Sequence, residues 1–267
     1  MINIGYLVKE ISVDGGSARV LGKTSRGIYL STSSRWVVFC SWERFRSPLT
    51  LNVNKRINDF DGVTVGMRAQ FVSDQLTIPG ADLCLSLENS REWYPIKPID
   101  SPFDREGYID RYDSLMSMVL NTKQSGEEVF EFPQLWVQDE DDGLQEALIH
   151  RLGRGEGLTP VGDDFVIGLL LTTNRYKRFL WIHEDLDQLN QCIVSAAYKK
   201  TTRLSANLIE LATLGESDER LLNAVDFLQG ADHGLEKIAI DLSNWGHTSG
   251  VAVLAGMATP FKIMFSD

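Results

Sequence analysis

Three short segments in the second half of the chain gather the residue types that can do chemistry: Gly153–Asp164, Thr201–Ser205 and Gly246–Gly250. In the first, glycines at positions 153, 155 and 157 alternate with Arg154 and Glu156. That spacing marks a backbone that visits conformations closed to other residues, or that lies against a neighbour. Thr159-Pro160 then reads as a helix start, with Thr159 as N-cap and Pro160 at the first position. Such a turn points several N–H groups outward and suits an anion, so Gly157, Thr159 and Gly162 are candidate substrate contacts. Arg154 is either a surface charge or a planar fork for a carboxylate. Asp163 and Asp164 fall in the first helical turn, where they complement the dipole. Adjacent helical residues point about 100° apart, so only one of them faces a pocket. Asp163, nearer the glycines, is the candidate catalytic carboxylate: a base or a metal ligand.

The second segment offers Thr201, Thr202 and Ser205 as hydroxyl contacts beside Lys199, Lys200 and Arg203, a basic island in an acidic chain. Thr202 and Ser205 also suit a helix cap. The third segment surrounds His247 with Gly246, Thr248, Ser249 and Gly250 at another helix start. A neutral imidazole there can donate to a carbonyl or shuttle a proton, which makes His247 the second catalytic candidate; a lone histidine is more commonly a structural group. His150, His183 and His233 have no such surroundings, and scattered histidines do not spell a zinc site. Ser249 is not in a GxSxG elbow. No Lys-Ser/Thr follows the glycines and no GxGxxG exists, so neither nucleotide fingerprint is present. If the three segments converge, they offer backbone N–H groups, hydroxyls, one carboxylate and one imidazole. That inventory fits a small, oxygen-rich ligand.

The elements that position these segments read as an α+β fold: an N-terminal antiparallel β-sheet or small barrel, followed by a mainly α-helical C-terminal half. Short β-branched and aromatic runs fill the first hundred residues: Ala18–Lys23, Gly27–Thr32, Arg35–Ser41, Pro48–Val53, Val63–Val65, Arg68–Ser73, Gln75–Ile78 and Leu83–Leu87. Turn material without intervening helices separates them. Pro95, Pro98 and Pro102 mark the boundary between a β-rich domain, 1–100, and a helical domain, 101–267, that carries the anion site. Helical spacing then runs through Arg105–Thr122, Leu144–Leu152, Asp164–Asn174, Glu184–Lys199, Ala206–Leu214, Glu219–Leu228, Leu235–Asn244 and Val251–Met257. Pro260–Phe265 reads as a returning strand. The acidic run Asp139–Asp142 reads as a solvated helix start.

The 267 residues are 43% hydrophobic and 24% charged, ordinary globular usage. A formal charge of −11 argues against nucleic acid as a partner but leaves a locally bound small anion open. Cys40, Cys84 and Cys192 are too far apart for a CxxC pair and read as partly buried thiols. No signal peptide or membrane-spanning run is visible, so the expectation is a cytoplasmic chain without membrane or cofactor.

Gly157–Phe165 (GLTPVGDDF), Thr201–Ala206 (TTRLSA) and Gly246–Gly250 (GHTSG), in that order and separation, resemble the oxamate carbamoyltransferase subunit AllH family. The resemblance covers roughly Leu148–Gly256. It implies a role in anaerobic allantoin breakdown, where an assembly with more than one kind of subunit converts oxalurate and phosphate to oxamate and carbamoyl phosphate. It also implies hetero-oligomeric partners. Two positions depart from the family: Val161, commonly Ser there, and Ala252, commonly acidic. Three readings follow. The first is a carbamoyltransferase subunit acting on a small carboxylate or phosphate substrate. The second is a non-catalytic anion-binding or assembly subunit, and the third a metal-assisted hydrolase using Asp163, Asp164 and His247.

Overall fold

The computed structural model describes residues 2–54, 57–100, 104–122, 143–180, 185–246 and 248–264. His183, His247, the run Asp139–Asp142, and the Ser101-Pro102 part of the boundary lie outside them. The α+β class holds: a curled nine-stranded sheet precedes a helical half. Contacts divide the chain into two compact units, Met1–Ile96 and Lys97–Asp267.

The first unit contains β1 (Asn3–Gly5), α1 (Tyr6–Asp14), β2 (Ser17–Thr24), β3 (Gly27–Thr32), β4 (Val37–Ser41), β5 (Thr50–Asn52), β6 (Arg68–Val72), β7 (Gln75–Ile78), β8 (Leu83–Ser86) and β9 (Arg91–Trp93). The strands lie in the order β8-β7-β6-β2-β3-β4-β5-β1-β9. Most neighbours are antiparallel, as the short turns dictate, but β4–β5 and β1–β9 are parallel. One face alternates inward: Ala18 and Val20 of β2, Ile28 and Leu30 of β3, and Ala69 and Phe71 of β6 share one core. Three features differ from the sequence reading. α1 is a helix where β was expected; it ends on Gly15 in the left-handed region (φ 71°) and buries Val8 and Ile11. β1 and β9 are three-residue strands held by non-local pairing. Val63–Val65 is not a strand. Cys40 is buried, which pushes its thiol up to about 12, whereas Cys84 is exposed rather than partly buried.

The second unit contains α2 (Arg105–Thr122), α3 (Leu144–Arg151), α4 (Val161–Arg175), α5 (Leu186–Lys200), α6 (Arg203–Thr213), α7 (Glu219–Leu228), α8 (Leu235–Ser243) and α9 (Ser249–Met264). Every α4 residue from Gly162 to Thr173 is buried, so this helix is enclosed on all sides. It packs on α9, α6 and α3. Two glycines set the α4–α9 crossing. A Cβ at Gly168 would overlap the Val253 carbonyl, and one at Gly256 would overlap the Phe165 carbonyl. The expected strand Pro260–Phe265 is instead the continuation of α9 as far as Met264. Pro260 inside the helix removes one backbone donor; beside it the Thr259 hydroxyl donates to the Ala255 carbonyl at 3.0 Å. Among the described residues, no helix is long and apolar enough to cross a membrane.

The far end of α4 is tied by a buried ion pair. Arg175 meets Asp226 of α7 with both prongs, at 2.6 and 2.7 Å. The Tyr176 hydroxyl donates to the same carboxylate at 2.7 Å, and burial beside that charge drives its own pKa far up. Asp226→Ala would leave a guanidinium buried without its carboxylate. A loss of about 3–5 kcal/mol in urea unfolding is expected. Gly168→Ala, which forces the α4–α9 crossing apart, should cost at least about 1–3 kcal/mol in the same assay.

Candidate functional site

The start of α4 is held from both sides by one of its two buried first-turn carboxylates. Asp163 is fully buried. Its Oδ1 accepts the Gly153 N–H at 2.8 Å, and its Oδ2 accepts the Thr201 hydroxyl in a short hydrogen bond. One side chain thus joins the glycine loop, the first turn of α4 and the α5–α6 junction. Burial raises the carboxyl above its usual 3.8, while the Thr201, Gly153 and Ser205 groups oppose that rise. The Ser205 hydroxyl is itself buried and completes no hydrogen bond of normal geometry.

The loop has the left-handed backbone its glycines foretold. φ is 75° at Gly153, 111° at Gly155 and 96° at Gly157. Gly153 is doubly constrained, since a Cβ there would also overlap the Lys200 carbonyl. The loop is pinned again at Thr202, whose hydroxyl donates to the Leu158 carbonyl at 2.7 Å. The same oxygen accepts the Ser205 N–H at 3.1 Å and so caps α6. Between these two pins, Gly155, Glu156, Gly157 and Leu158 are exposed and Thr159 is half-buried.

Several site residues do something other than the sequence reading gave them. Thr159 is not the N-cap: α4 opens at Val161 with Pro160 in the extended region before it. The Gly162 N–H is not free for an anion, because it donates to the Arg154 carbonyl at 2.9 Å. Asp163 N–H likewise turns back to the Pro160 carbonyl at 2.9 Å. The loop carbonyls thus take the first-turn donors that a side-chain cap or a ligand would take elsewhere. Thr201 and Thr202 both spend their single hydroxyl proton on the frame. Arg154 is exposed, with Nη2 at 2.5 and 3.0 Å from the two ring nitrogens of His150. The sequence reading assigned His150 no role; Arg154 lies past the end of α3, beyond a left-handed Gly153, so helical spacing gave no signal for the pair.

The structure brings the first two segments together. The third is fastened elsewhere. A Cβ at Gly250 would overlap the Leu242 carbonyl of α8. The Thr248 carbonyl accepts the Val251 and Ala252 N–H groups, both at 3.2 Å, to open α9. Ser249 is buried in that first turn. Just before it, Trp245 lies under the Arg220 guanidinium at 4.7 Å, which the α7 cap Asp218 holds at 2.9 and 3.0 Å. Among the described residues, no hydrogen bond joins Thr248, Ser249 or Gly250 to Asp163, Thr201 or Thr202. Among the described residues, too, no three metal-ligating side chains gather, and both Asp163 oxygens are already taken by the chain's own donors.

The class this defines is an α+β chain whose helical unit clasps a left-handed glycine loop to a helix start through one buried carboxylate. Residues 151–261, less than half of the chain, match the family model described as oxamate carbamoyltransferase subunit AllH. This is the family that the three motifs resemble, and the matched stretch contains all three. No curated protein and no solved structure matches the chain.

Asp163→Ala should cost about 2–4 kcal/mol, since it opens a cavity and leaves the Gly153 N–H and Thr201 hydroxyl without their acceptor. Asp163→Asn should recover most of that, because an amide can accept from one group and donate to the other. The pH dependence has a definite sign. A carboxyl raised on folding binds more protons folded than unfolded, so its contribution is fully present below 3.8 and declines as pH rises through the raised value. The stability of Asp163→Asn relative to wild type should therefore increase as pH climbs from 3 towards neutrality (roughly pH 3 to 7, by the same linkage). A flat difference in urea titrations across that range would contradict the assignment.

Proposed function

We propose that this chain is a subunit of a carbamoyltransferase assembly, and that its helical unit holds a small carboxylate- or phosphate-bearing substrate on the 155–159 loop. One observation carries this reading: the Asp163 clasp, which holds a loop of left-handed glycines open towards solvent. Successive N–H groups in such a loop form a concavity of positive potential that receives oxyanions without any net positive charge on the protein. The family match over residues 151–261 supports the reaction class.

In this reading Gly157 and Thr159 hold the anion through backbone N–H groups, with Arg154 at the rim. Thr201, Thr202, Gly162 and Asp163 are positioning residues that keep the loop in shape. Ser205, buried beside Asp163, is a further positioning residue, and Thr248, Ser249 and Gly250, fastened to α8 and to the first turn of α9, are left out of this contact set. His247 is the proposed general acid, and this reading requires its imidazole to reach the loop although the next residue, Thr248, opens α9. A phosphate oxygen attacks the carbamoyl carbonyl carbon of oxalurate and a C–O bond forms. The C–N bond to the oxamate nitrogen breaks, and that nitrogen leaves with a proton supplied by the imidazole. The nitrogen that leaves is shared with the oxalyl group, whose carbonyl withdraws its lone pair and makes it a better leaving group than a simple amine, so positioning and charge stabilisation supply the rate.

A second reading is a non-catalytic subunit that binds the anion for assembly. It is favoured by the full commitment of Asp163 to the chain's own donors, which leaves that carboxylate no part in chemistry. Thermal melting with phosphate, oxamate, oxalurate and carbamoyl phosphate should show a rise for at least one, because a ligand of the folded state stabilises it. No rise with any of the four would overturn the anion site. His247→Ala in the full assembly separates the two readings: lost turnover with an unchanged melting shift marks catalysis, and unchanged turnover marks the assembly subunit.

A further inference from the structure

The first unit carries a cleft of about 560 Å³ over the outer face of β2, β3 and β6. Its walls include Arg19 and Arg68 together with Ser31, Ser33 and Gln70. Arg19 and Arg68 are directly opposite each other across the β2–β6 ladder. The flanking bonds Phe71 N–H to Gly16 O and Val20 N–H to Met67 O make 16–71 and 20–67 the hydrogen-bonded pairs. By alternation Arg19–Arg68 is a non-hydrogen-bonded pair, the kind whose side chains stand closest. Like charges in that position repel.

The repulsion has no internal remedy. Among the described residues, no carboxylate forms an ion pair with either arginine, although the chain carries 37 acidic residues against 26 basic ones. Arg19 spends one N–H on the Gly66 carbonyl at 2.8 Å, which steadies its guanidinium beside the cleft. The remaining donors of both forks match the paired oxygens of a carboxylate or phosphate. Next to Arg19 the β2–β3 register shifts between Val20 and Gly22, a bulge that bends the strand.

We propose that this cleft is a binding site for a small oxyanion, a carboxylate or phosphate group held between Arg19 and Arg68. The lining residues all belong to the first unit. Both arginines are exposed, so the bound anion keeps part of its hydration and binding is salt-sensitive.

The test is a titration of the ¹⁵N-labelled full chain at low ionic strength with inorganic phosphate and, separately, malonate. The readout is the backbone amides of Arg19, Arg68 and Ala69. Saturating shifts with either probe support the site, and the probe that saturates identifies the oxyanion. Arg68→Gln should weaken that binding about tenfold. Its melting temperature without anion should be unchanged or higher, since one of two repelling charges is gone; Arg19→Gln provides the second variant. Amides unmoved by both probes, or an Arg68→Gln variant that titrates like wild type, would overturn the proposal.

Discussion

A helix enclosed on every side cannot leave its first-turn carboxylates in water, and the way Asp163 meets that constraint organises the helical unit. α4 is buried from Gly162 to Thr173, so Asp163 needs donors from the chain itself. It takes them from Gly153 on one side and Thr201 on the other. The loop between α3 and α4 and the junction between α5 and α6 are therefore fixed by one group. Thr202 adds a second pin by capping α6 and holding Leu158 with the same oxygen. At the other end of α4 the same problem is met by an ion pair, Arg175 with Asp226. Between the two ends Gly168 and Gly256 let the backbones of α4 and α9 meet.

This arrangement redistributes the roles of the polar residues. Threonine hydroxyls near a glycine loop look like ligand contacts until their protons are counted. Thr201 and Thr202 have one each, and both are already given to the chain. What the frame leaves uncommitted is the exposed loop itself, shaped by three glycines at positive φ. A site built from backbone donors holds its geometry without side-chain entropy to lose, and it tolerates an acidic protein around it.

Much of the fold was legible because periodic burial is a local signal. Arg105–Thr122 and Glu219–Leu228 begin and end where the helical spacing does, and Gly27–Thr32 and Gln75–Ile78 do the same for the strands. What was missed depends on distant partners or on missing signals. α1 opens on Gly5 with no side-chain cap and no acidic first turn, so only its Gly15 terminus marked it. β1 and β9 exist because they pair with each other and because β1 also pairs with β5. Within the site, the glycine conformations could be read from composition alone. The Asp163 clasp could not, since Gly153, Asp163 and Thr201 meet only through the packing of three helices. The helix start was misplaced by one residue, because the Arg154 carbonyl takes the Gly162 donor that a Thr159 cap would have accepted.

The central claim is that Asp163 holds the 155–159 loop open as an oxyanion cradle. Its most direct test is a titration of ¹⁵N-labelled wild type and Asp163→Asn with oxamate, followed at the backbone amides of Gly155, Gly157, Leu158 and Thr159. The account predicts that these amides shift together along one saturating curve in wild type, and at least as clearly in the isosteric variant that keeps the frame. Loop amides that stay still in both proteins while oxamate shifts resonances elsewhere would contradict it.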